Sequence, residues 1–473
     1  MYAEMYNCAS LQFNFVLHNT MKQKVIAIFD VGKTNKKILL FDYGLNIVSE
    51  IEERFPVIVD DDGFECDDIE KIEKWIHASV KDLLKSDKYE LTAVNFATYG
   101  ATLAYLDEKG NRLTPIYNYL KPVDDRITEK IYRRYGGQDE FCRRTASPAL
   151  GMLNSGMQAL WLKNEKLHIF NKVAHILHFP QYLSYTLTGK IYSEHTSIGC
   201  HTALWDFDEM DYHRWTREEG LKLPFPSEVS RINEVIIEGK KIFAGIGIHD
   251  SSSSLAPYFS GSNGKFLLVS TGTWCINMNP FNNEKLTAEQ LDRDCLCYMS
   301  ITREPVKSSR LFLGNLHEEA LEKINTHFRT AGDQYKKVRP DNKLIKECEQ
   351  RSRKNRFYFD NLPYSRKLVD KNDFFVFKTF DEAYHQLMVE LSQLTTEAID
   401  LVLPSDDDIQ NIYITGGFSK NPLFLKLLAD AYPMKNVYIS EIHNATALGA
   451  ALVILNSVNP DLKPDLNLGL THC

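Results

Sequence analysis

At 473 residues the chain is too long for one ordinary core, and a composition of 44% hydrophobic and 25% charged residues excludes long-range disorder, a collagen-like repeat and a coiled-coil rod. The 55 Lys plus Arg are outnumbered by 63 Asp plus Glu, giving a net charge of −8. With no basic stripe, nucleic acid is not an expected partner, and an anionic ligand would have to be held by backbone amides and a few local cations.

The nine cysteines are odd in number and scattered, without a CxxC pair, and Cys295-Leu-Cys297 has no second pair at zinc-finger spacing. They read as reduced thiols of a cytoplasmic protein. No apolar run approaches the ~18 residues that span a bilayer, so no membrane association is expected. Residues 1–20 lack the basic region and cleavage site of a signal peptide. They are read as an upstream extension or a disordered tail.

In chain order, Lys24–Asp30 is a nearly continuous apolar run, as expected of a strand buried on both faces. A turn at Val31-Gly32 leads to a return strand at Lys36–Asp42, and Tyr43-Gly44-Leu45 turns the chain again. Ile69, Ile72, Trp75, Ile76, Val80 and Leu83 recur at helical spacing within 67–85. Leu91–Gly100 reads as a buried strand ending in a loop, Leu103–Leu120 as a hairpin, and residues 124–245 as mostly helical. A second cycle starts near Phe243. It runs through Asp250 into a serine-rich helix, a strand at Phe266–Ser270, a Thr-Gly-Thr turn and a return strand from Trp274. Asn411–Gly417 is a strand ending in a double glycine, followed by a helix at 421–431 and a small-residue helix at 445–455. Two strand–turn–strand units half a chain apart predict two related α/β domains, 21–245 and 246–473, across a cleft.

Four segments carry chemistry. In Asp30-Val-Gly32-Lys33-Thr34-Asn35, Gly32 permits a sharp turn and close approach to a ligand. Thr34, Asn35 and the loop amides can donate to phosphate oxygens, Lys33 adds a positive charge, and Asp30 at a strand end can hold Mg²⁺ through water. A Walker P-loop is excluded, because the required earlier glycine is Ala27 and no helix follows. Gly272 and Thr273 form a second small-residue turn suited to phosphate. Gly416 and Gly417, before Phe418 and Asn421, expose bare backbone that can lie flat against a nucleoside. Asp250, at a strand end and helix start, can accept a proton from a substrate hydroxyl. Each segment has a plainer alternative: a hairpin turn for the first two, a tight βα loop for the third, a helix cap for Asp250.

In this order the motifs resemble those of the FGGY carbohydrate kinases, within the superfamily of sugar kinases, heat-shock chaperones and actin. The first phosphate loop is similar to Asp30–Lys36, with Lys33 where a small hydroxyl residue is commoner. The catalytic segment is similar to Gly247–Ser251, the second phosphate loop to Ser270–Trp274, and the adenosine loop to Gly416–Asn421. Ala445–Ala451 resembles the closing segment, with Asn444 where Glu is usual.

The resemblance implies two actin-like, ribonuclease H-like domains around a nucleotide and substrate cleft. It implies ATP and Mg²⁺ as cofactors, Asp250 as general base, and a small sugar as partner to a monomer or homodimer. It places Tyr99, Gly100, Thr102, Asn154 and His249 at the sugar. Leu153–Gln158 and Leu183–Lys190 look like the branch acting on rhamnulose and fuculose. Gly100-Ala-Thr102-Leu103 is instead similar to a xylulokinase loop, and Thr102 replaces the Asp of the former branch. A 6-deoxyketose such as L-rhamnulose or L-fuculose is therefore expected, with a xylulose- or ribulose-type pentulose as alternative. A non-catalytic sugar sensor and an actin-like nucleotide switch are the rivals from other classes.

Overall fold

The computed structural model describes residues 22–351, 357–359, 376–462 and 466–473. The expected extension at 1–20 lies outside them.

The apolar run near the start forms β1 (Gln23–Val31). In the sheet it lies between antiparallel β2 (Lys36–Phe41) and parallel β4 (Tyr89–Thr98), and it is buried on both faces because Val25, Ala27 and Phe29 pack with Ile69, Ile72 and Ile76 on one side and Ile26 and Ile28 with Ala447, Ala451 and Ile454 on the other. β3 (Ile47–Glu53) pairs with β2, and the chain then forms helix α1 (Ile69–Lys85) before β4. The apolar stripe of α1 buries Ile69, Ile72, Ile76 and Val80. Trp75, half-buried on the same helix, meets Phe29 of β1 edge to face, with ring centroids 5.3 Å apart.

The region from 124 to 245, expected to be mostly helical, ends in a hairpin of β5 (Ile232–Ile237) and β6 (Lys240–Gly245). Its turn, Glu238-Gly239, has φ of +50° and +73°, a hairpin geometry in which the side-chain periodicity of the flanks is two rather than 3.6. The order of the first sheet is β5-β6-β4-β1-β2-β3, with the short β7 (Ile248–His249) also against the end of β4.

The second sheet repeats the plan. β8 (Phe266–Thr271) has antiparallel β9 (Cys275–Asn279) on one side and parallel β12 (Asn411–Gly416) on the other. β10 (Cys295–Met299) and β11 (Pro305–Leu311) extend the antiparallel side, and β13 (Asn436–Ser440) and β14 (Leu470–His472) the other, in the order β10-β11-β9-β8-β12-β13-β14. β1, β2 and β4 thus correspond to β8, β9 and β12. The fold is two related α/β domains, as the internal repetition predicts.

Two helices couple the sheets. α2 (Asp250–Gly261) follows β7 directly, and α6 (Ala445–Val458) packs along it. The Ser253 hydroxyl donates to the Thr446 carbonyl at 2.7 Å. The other side of α6 reaches the first sheet, where Asn95 Nδ2 donates to the Ala450 carbonyl at 2.8 Å and Ile26, Ile28 and Ala97 share a core with Ala447, Ala451 and Ile454. The run of alanines is what lets α6 approach both partners closely. The eight described cysteines are all free thiols, seven of them buried. Among the described residues no helix is long and apolar enough to cross a membrane.

Candidate active site

Asp250 is the first residue of α2, and the N-cap position belongs to His249. Its carboxylate accepts from the amide of Ser251 at 2.6 Å and from the Ser251 hydroxyl at 3.2 Å. A capping carboxylate would instead receive amides two or three residues on. The side chain remains 35% exposed toward the cleft. Burial on its other sides pushes its carboxyl up to about 6, against the pull of the Ser251 donors.

Asp30, at the end of β1, is likewise pushed up to about 6, first by burial and then by the charge of Asp250; Lys37 pulls against both. The Asp30 carboxylate is an oxygen donor of the kind a hard divalent cation takes. The three clustered aspartates Asp60, Asp61 and Asp62 do not compete for that role, because Lys121 and Lys166 already pair with them.

His249 is buried and its Nε2 stands 3.2 Å from Asp250 Oδ1. Burial lowers its imidazole to about 4, so it is neutral near pH 7. Its backbone amide donates to Thr196 Oγ1 at 3.1 Å, and that hydroxyl donates to the fully buried Glu194 at 2.7 Å. Gly100 lies against the ring: a Cβ there would sit 2.9 Å from His249 Nε2.

The other residues expected at the sugar are more enclosed. Thr102 is 1% exposed, so its hydroxyl is closed off inside the protein. Tyr99 is buried and donates its hydroxyl to Asp67 Oδ2 at 2.6 Å. Asn154 spends its amide inside the protein, donating to the His201 carbonyl at 2.8 Å and accepting from the Leu150 amide at 3.3 Å. Trp274 stacks against Phe312, centroids 4.5 Å apart.

Residues 32–35 form the four-residue turn between β1 and β2. Lys33 reaches Asp67 Oδ2 at 2.7 Å, while Lys36, 1% exposed, reaches Asp67 Oδ1 at 3.1 Å and the Lys33 carbonyl at 2.9 Å. These donors hold the Asp67 carboxyl below its ordinary range although burial alone would raise it. Thr34 is exposed, and Asn35 Oδ1 accepts from Arg54 Nε at 2.9 Å. The first loop is therefore braced by Asp67, a residue that sequence reading placed only at the start of a helix.

The second and third loops lie side by side, because Thr271 pairs with Gly416 in the β8–β12 register. Gly416 has φ of +85°, and a Cβ there would run into the Thr271 carbonyl. Gly417 faces open space. The amide of Phe418 donates to Thr271 Oγ1 at 3.0 Å. Asn421 caps helix α5 (Pro422–Ala431) through Oδ1 and donates through Nδ2 to the hydroxyl of Tyr384, on α4 (Phe380–Asp400), at 2.9 Å.

A cavity of about 220 Å³ lies between these loops, lined by Gly272, Thr273, Gly417, Phe418 and Asn421 together with His317 and Tyr335. His317 belongs to α3 (Leu313–Phe328), whose Gly314 rests against the Gly272 carbonyl with no room for a side chain. Sequence reading missed Gly314, His317 and Tyr335, which carry no motif. A larger cavity of about 530 Å³ lies among Tyr135, Arg144, Asp206, Arg214 and Arg217, away from these loops. Within it Arg144 pairs with Asp206 and Arg217 with Asp211.

Two related domains, each presenting a small-residue hairpin turn to a cleft that holds a semi-exposed carboxylate, define a phosphotransferase of the sugar-kinase type. The N-terminal domain model of the FGGY family of carbohydrate kinases matches residues 25–218, and two C-terminal domain models of that family match residues 263–347 and 382–456. The chain belongs to the FGGY family of carbohydrate kinases and is an ATP-dependent sugar kinase. It is 22% identical over 474 aligned positions to the rhamnulokinase of Oceanobacillus iheyensis, covering 93% of this chain and 94% of that protein. The fold matches a carbohydrate kinase from Novosphingobium aromaticivorans with a TM-score of 0.75 at 22% identity, over 94% of this chain and 95% of that one. It also matches the ligand-bound xylulose kinase of Lactobacillus acidophilus with a TM-score of 0.72 at 15% identity, over 95% of this chain and 93% of that one.

Proposed function

We propose that the protein transfers the γ-phosphoryl group of ATP to a hydroxyl of a 6-deoxyketose of the rhamnulose or fuculose type. The observation that carries the mechanism is Asp250, a carboxylate at the first position of a helix, beside a neutral His249 and open to the cleft. The likeness to a rhamnulokinase along nearly the whole chain supports the sugar class.

In this reading, residues 246–473 bind the nucleotide and residues 21–245 contribute most of the sugar contacts. The adenosine lies along Gly416, Gly417 and Phe418, with Asn421 holding the loop in place. The turns at Gly32–Asn35 and Gly272–Thr273 offer amides to the phosphates. Asp30 would hold Mg²⁺, which would neutralise charge on the phosphates. His249 fixes the orientation of Asp250, which takes the proton of the acceptor hydroxyl as its oxygen attacks in line. Gly100 packs against the His249 ring, and Asn154 secures the His201 loop. The protein acts alone or as a homodimer, in the cytoplasm.

The test is ADP release with a panel of L-rhamnulose, L-fuculose, D-xylulose, L-ribulose and glycerol. The reading expects the 6-deoxyketoses to give the highest kcat/KM. A pentulose at the top would favour the xylulose-type alternative. ATP hydrolysis indifferent to every sugar would instead favour a nucleotide switch.

A further inference from the structure

The cavity of about 220 Å³ between the second and third loops is small for a ligand site, and it suits a base rather than a whole nucleotide. Beside the bare backbone of Gly272 and Gly417, its wall carries two consecutive residues of α3, the buried His317 and the exposed Glu318. Aromatic rings surround the imidazole. Its centroid lies 5.3 Å from those of Tyr335 and Phe418 and 5.8 Å from that of Tyr384, each pair close to perpendicular. Such packing holds the imidazole in one orientation.

A chain of hydrogen bonds then fixes which nitrogen of the ring carries the proton. Asn421 Oδ1 accepts from the amides of Leu423 and Phe424, at 3.1 and 3.2 Å, so the atom turned to Tyr384 is Nδ2, a donor. The Tyr384 hydroxyl accepts that bond at 2.9 Å and stands 3.0 Å from His317 Nε2. Burial raises the Tyr384 phenol, which stays protonated, and lowers the His317 imidazole to about 4, which leaves it neutral. The hydroxyl has one proton to give, and Nε2 is the acceptor in reach. The proton of the neutral imidazole therefore sits on Nδ1. Nδ1 makes no hydrogen bond to the described residues and, unlike the Nδ1 of His178 and His249, is not closed off from solvent. It is a donor on a residue that lines the cavity.

We propose that His317 and Glu318 select the base of the phosphoryl donor: Nδ1–H of His317 donates to a ring nitrogen of adenine, N1 or N7, and the Glu318 carboxylate accepts from the adjacent exocyclic amino group. This deepens the placement of the nucleoside given above and rests on it. Adenine sets a ring acceptor beside the N6 donor on either edge, which answers a donor and an acceptor on neighbouring residues. Guanine puts the O6 carbonyl in place of that amino group, so an acceptor would face the carboxylate. Tyr384 touches no nucleotide in this arrangement. It is a positioning residue, holding the proton of His317 on the nitrogen that faces the base.

The experiment measures dissociation constants of ATP, GTP, 1-deaza-ATP and 7-deaza-ATP by titration calorimetry, without acceptor sugar. The wild-type protein should bind ATP about 10-fold or more tightly than GTP. One of the two deaza analogues, in which carbon replaces the ring nitrogen, should bind about 10-fold more weakly than ATP. His317→Phe keeps an aromatic ring among Tyr335, Tyr384 and Phe418, and should bring ATP and that analogue to the same affinity. Tyr384→Phe should shrink the difference in part. Glu318→Gln, whose amide can donate to O6, should cut the preference for ATP over GTP several-fold.

Melting curves identify any variant that fails to fold, and in that event the wild-type series of nucleotides decides. Deaza analogues that both bind as well as ATP, or a penalty that persists in folded His317→Phe, overturn the His317 contact. Equal wild-type affinities for ATP and GTP, or a ratio unmoved by Glu318→Gln, overturn the Glu318 contact. ATP affinity indifferent to His317→Phe and to Gly417→Val alike overturns the placement of the nucleoside on Gly416–Asn421 itself. Sensitivity to Gly417→Val alone keeps that placement and removes only the selection of the base.

Discussion

The imidazole Nε2 of His249 stands 3.2 Å from Oδ1 of Asp250, and the two residues are consecutive at the junction of β7 and α2. Because β7 is paired to the end of β4 and its amide is tied through Thr196 to Glu194, the histidine is held by the first domain. The aspartate begins the helix that packs under the second. Asp250 therefore sits at the junction of the two sheets, where the proposed general base would meet both phosphate and acceptor.

Asp250→Asn preserves size and helix compatibility but removes the proton acceptor. We expect kcat to fall by at least about 10²-fold. The melting temperature near pH 7 should not fall. A carboxyl raised to about 6 in the folded protein opposes folding above that pH, and the amide removes this penalty. Steady-state kinetics with a melting curve check both halves, and near-normal turnover would remove Asp250 from the mechanism.

The pH profile follows from the same carboxyl. Only its deprotonated form accepts a proton, so kcat/KM for the acceptor should rise with pH along an acid limb near 6 and then level off. An unperturbed carboxylate would place that limb near 4. Initial rates from pH 4.5 to 8, with melting monitored in parallel, distinguish the two.

Gly100→Ala adds a methyl 2.9 Å from His249 Nε2. The imidazole must shift, and Asp250 loses its orientation. A loss of kcat on the order of 10- to 10²-fold is expected, with a smaller change in KM for ATP. Unaltered kcat would mean that the histidine position is immaterial to the chemistry.

Gly416 and Gly417 should behave differently although adjacent. Gly417→Val projects into open space, so the protein should fold normally while KM for ATP rises about 10-fold or more. Gly416→Ala meets the Thr271 carbonyl in a backbone region with positive φ, so it should lower the melting temperature. Equal effects of the two changes on ATP affinity and stability would argue against a nucleoside lying on Gly417.

Asp67 binds Lys33, Lys36 and the Tyr99 hydroxyl at once. Asp67→Asn leaves the buried Lys36 ammonium without its counter-charge and should cost about 3–5 kcal/mol of stability. Lys33→Ala removes only the half-exposed arm. It should fold well yet raise KM for ATP several-fold by loosening the Gly32–Asn35 turn. Denaturant titrations and ATP saturation curves separate the structural from the functional arm.

Much of the molecule is readable along the chain because the information is local. The continuous apolar runs of β1, β4, β8 and β12 announce strands buried on both faces. The glycines and hydroxyl residues after β1 and β8 announce turns open to phosphate, and repetition of that unit announces two like domains. Asp250 is conspicuous for the same reason, as a lone carboxylate between an apolar strand and a serine-rich helix. The β5–β6 hairpin escaped because its turn residue Glu238 takes a positive φ that no propensity suggests. Folding alone decides the rest. Asp67 becomes the brace of the first loop because lysines 34 and 31 residues away close on it. Thr102 and Asn154 are drawn inward by the packing around them, one fully enclosed and the other bonded across 47 residues to the His201 carbonyl. Such relationships are set by register and burial between distant segments, where no spacing along the chain records them.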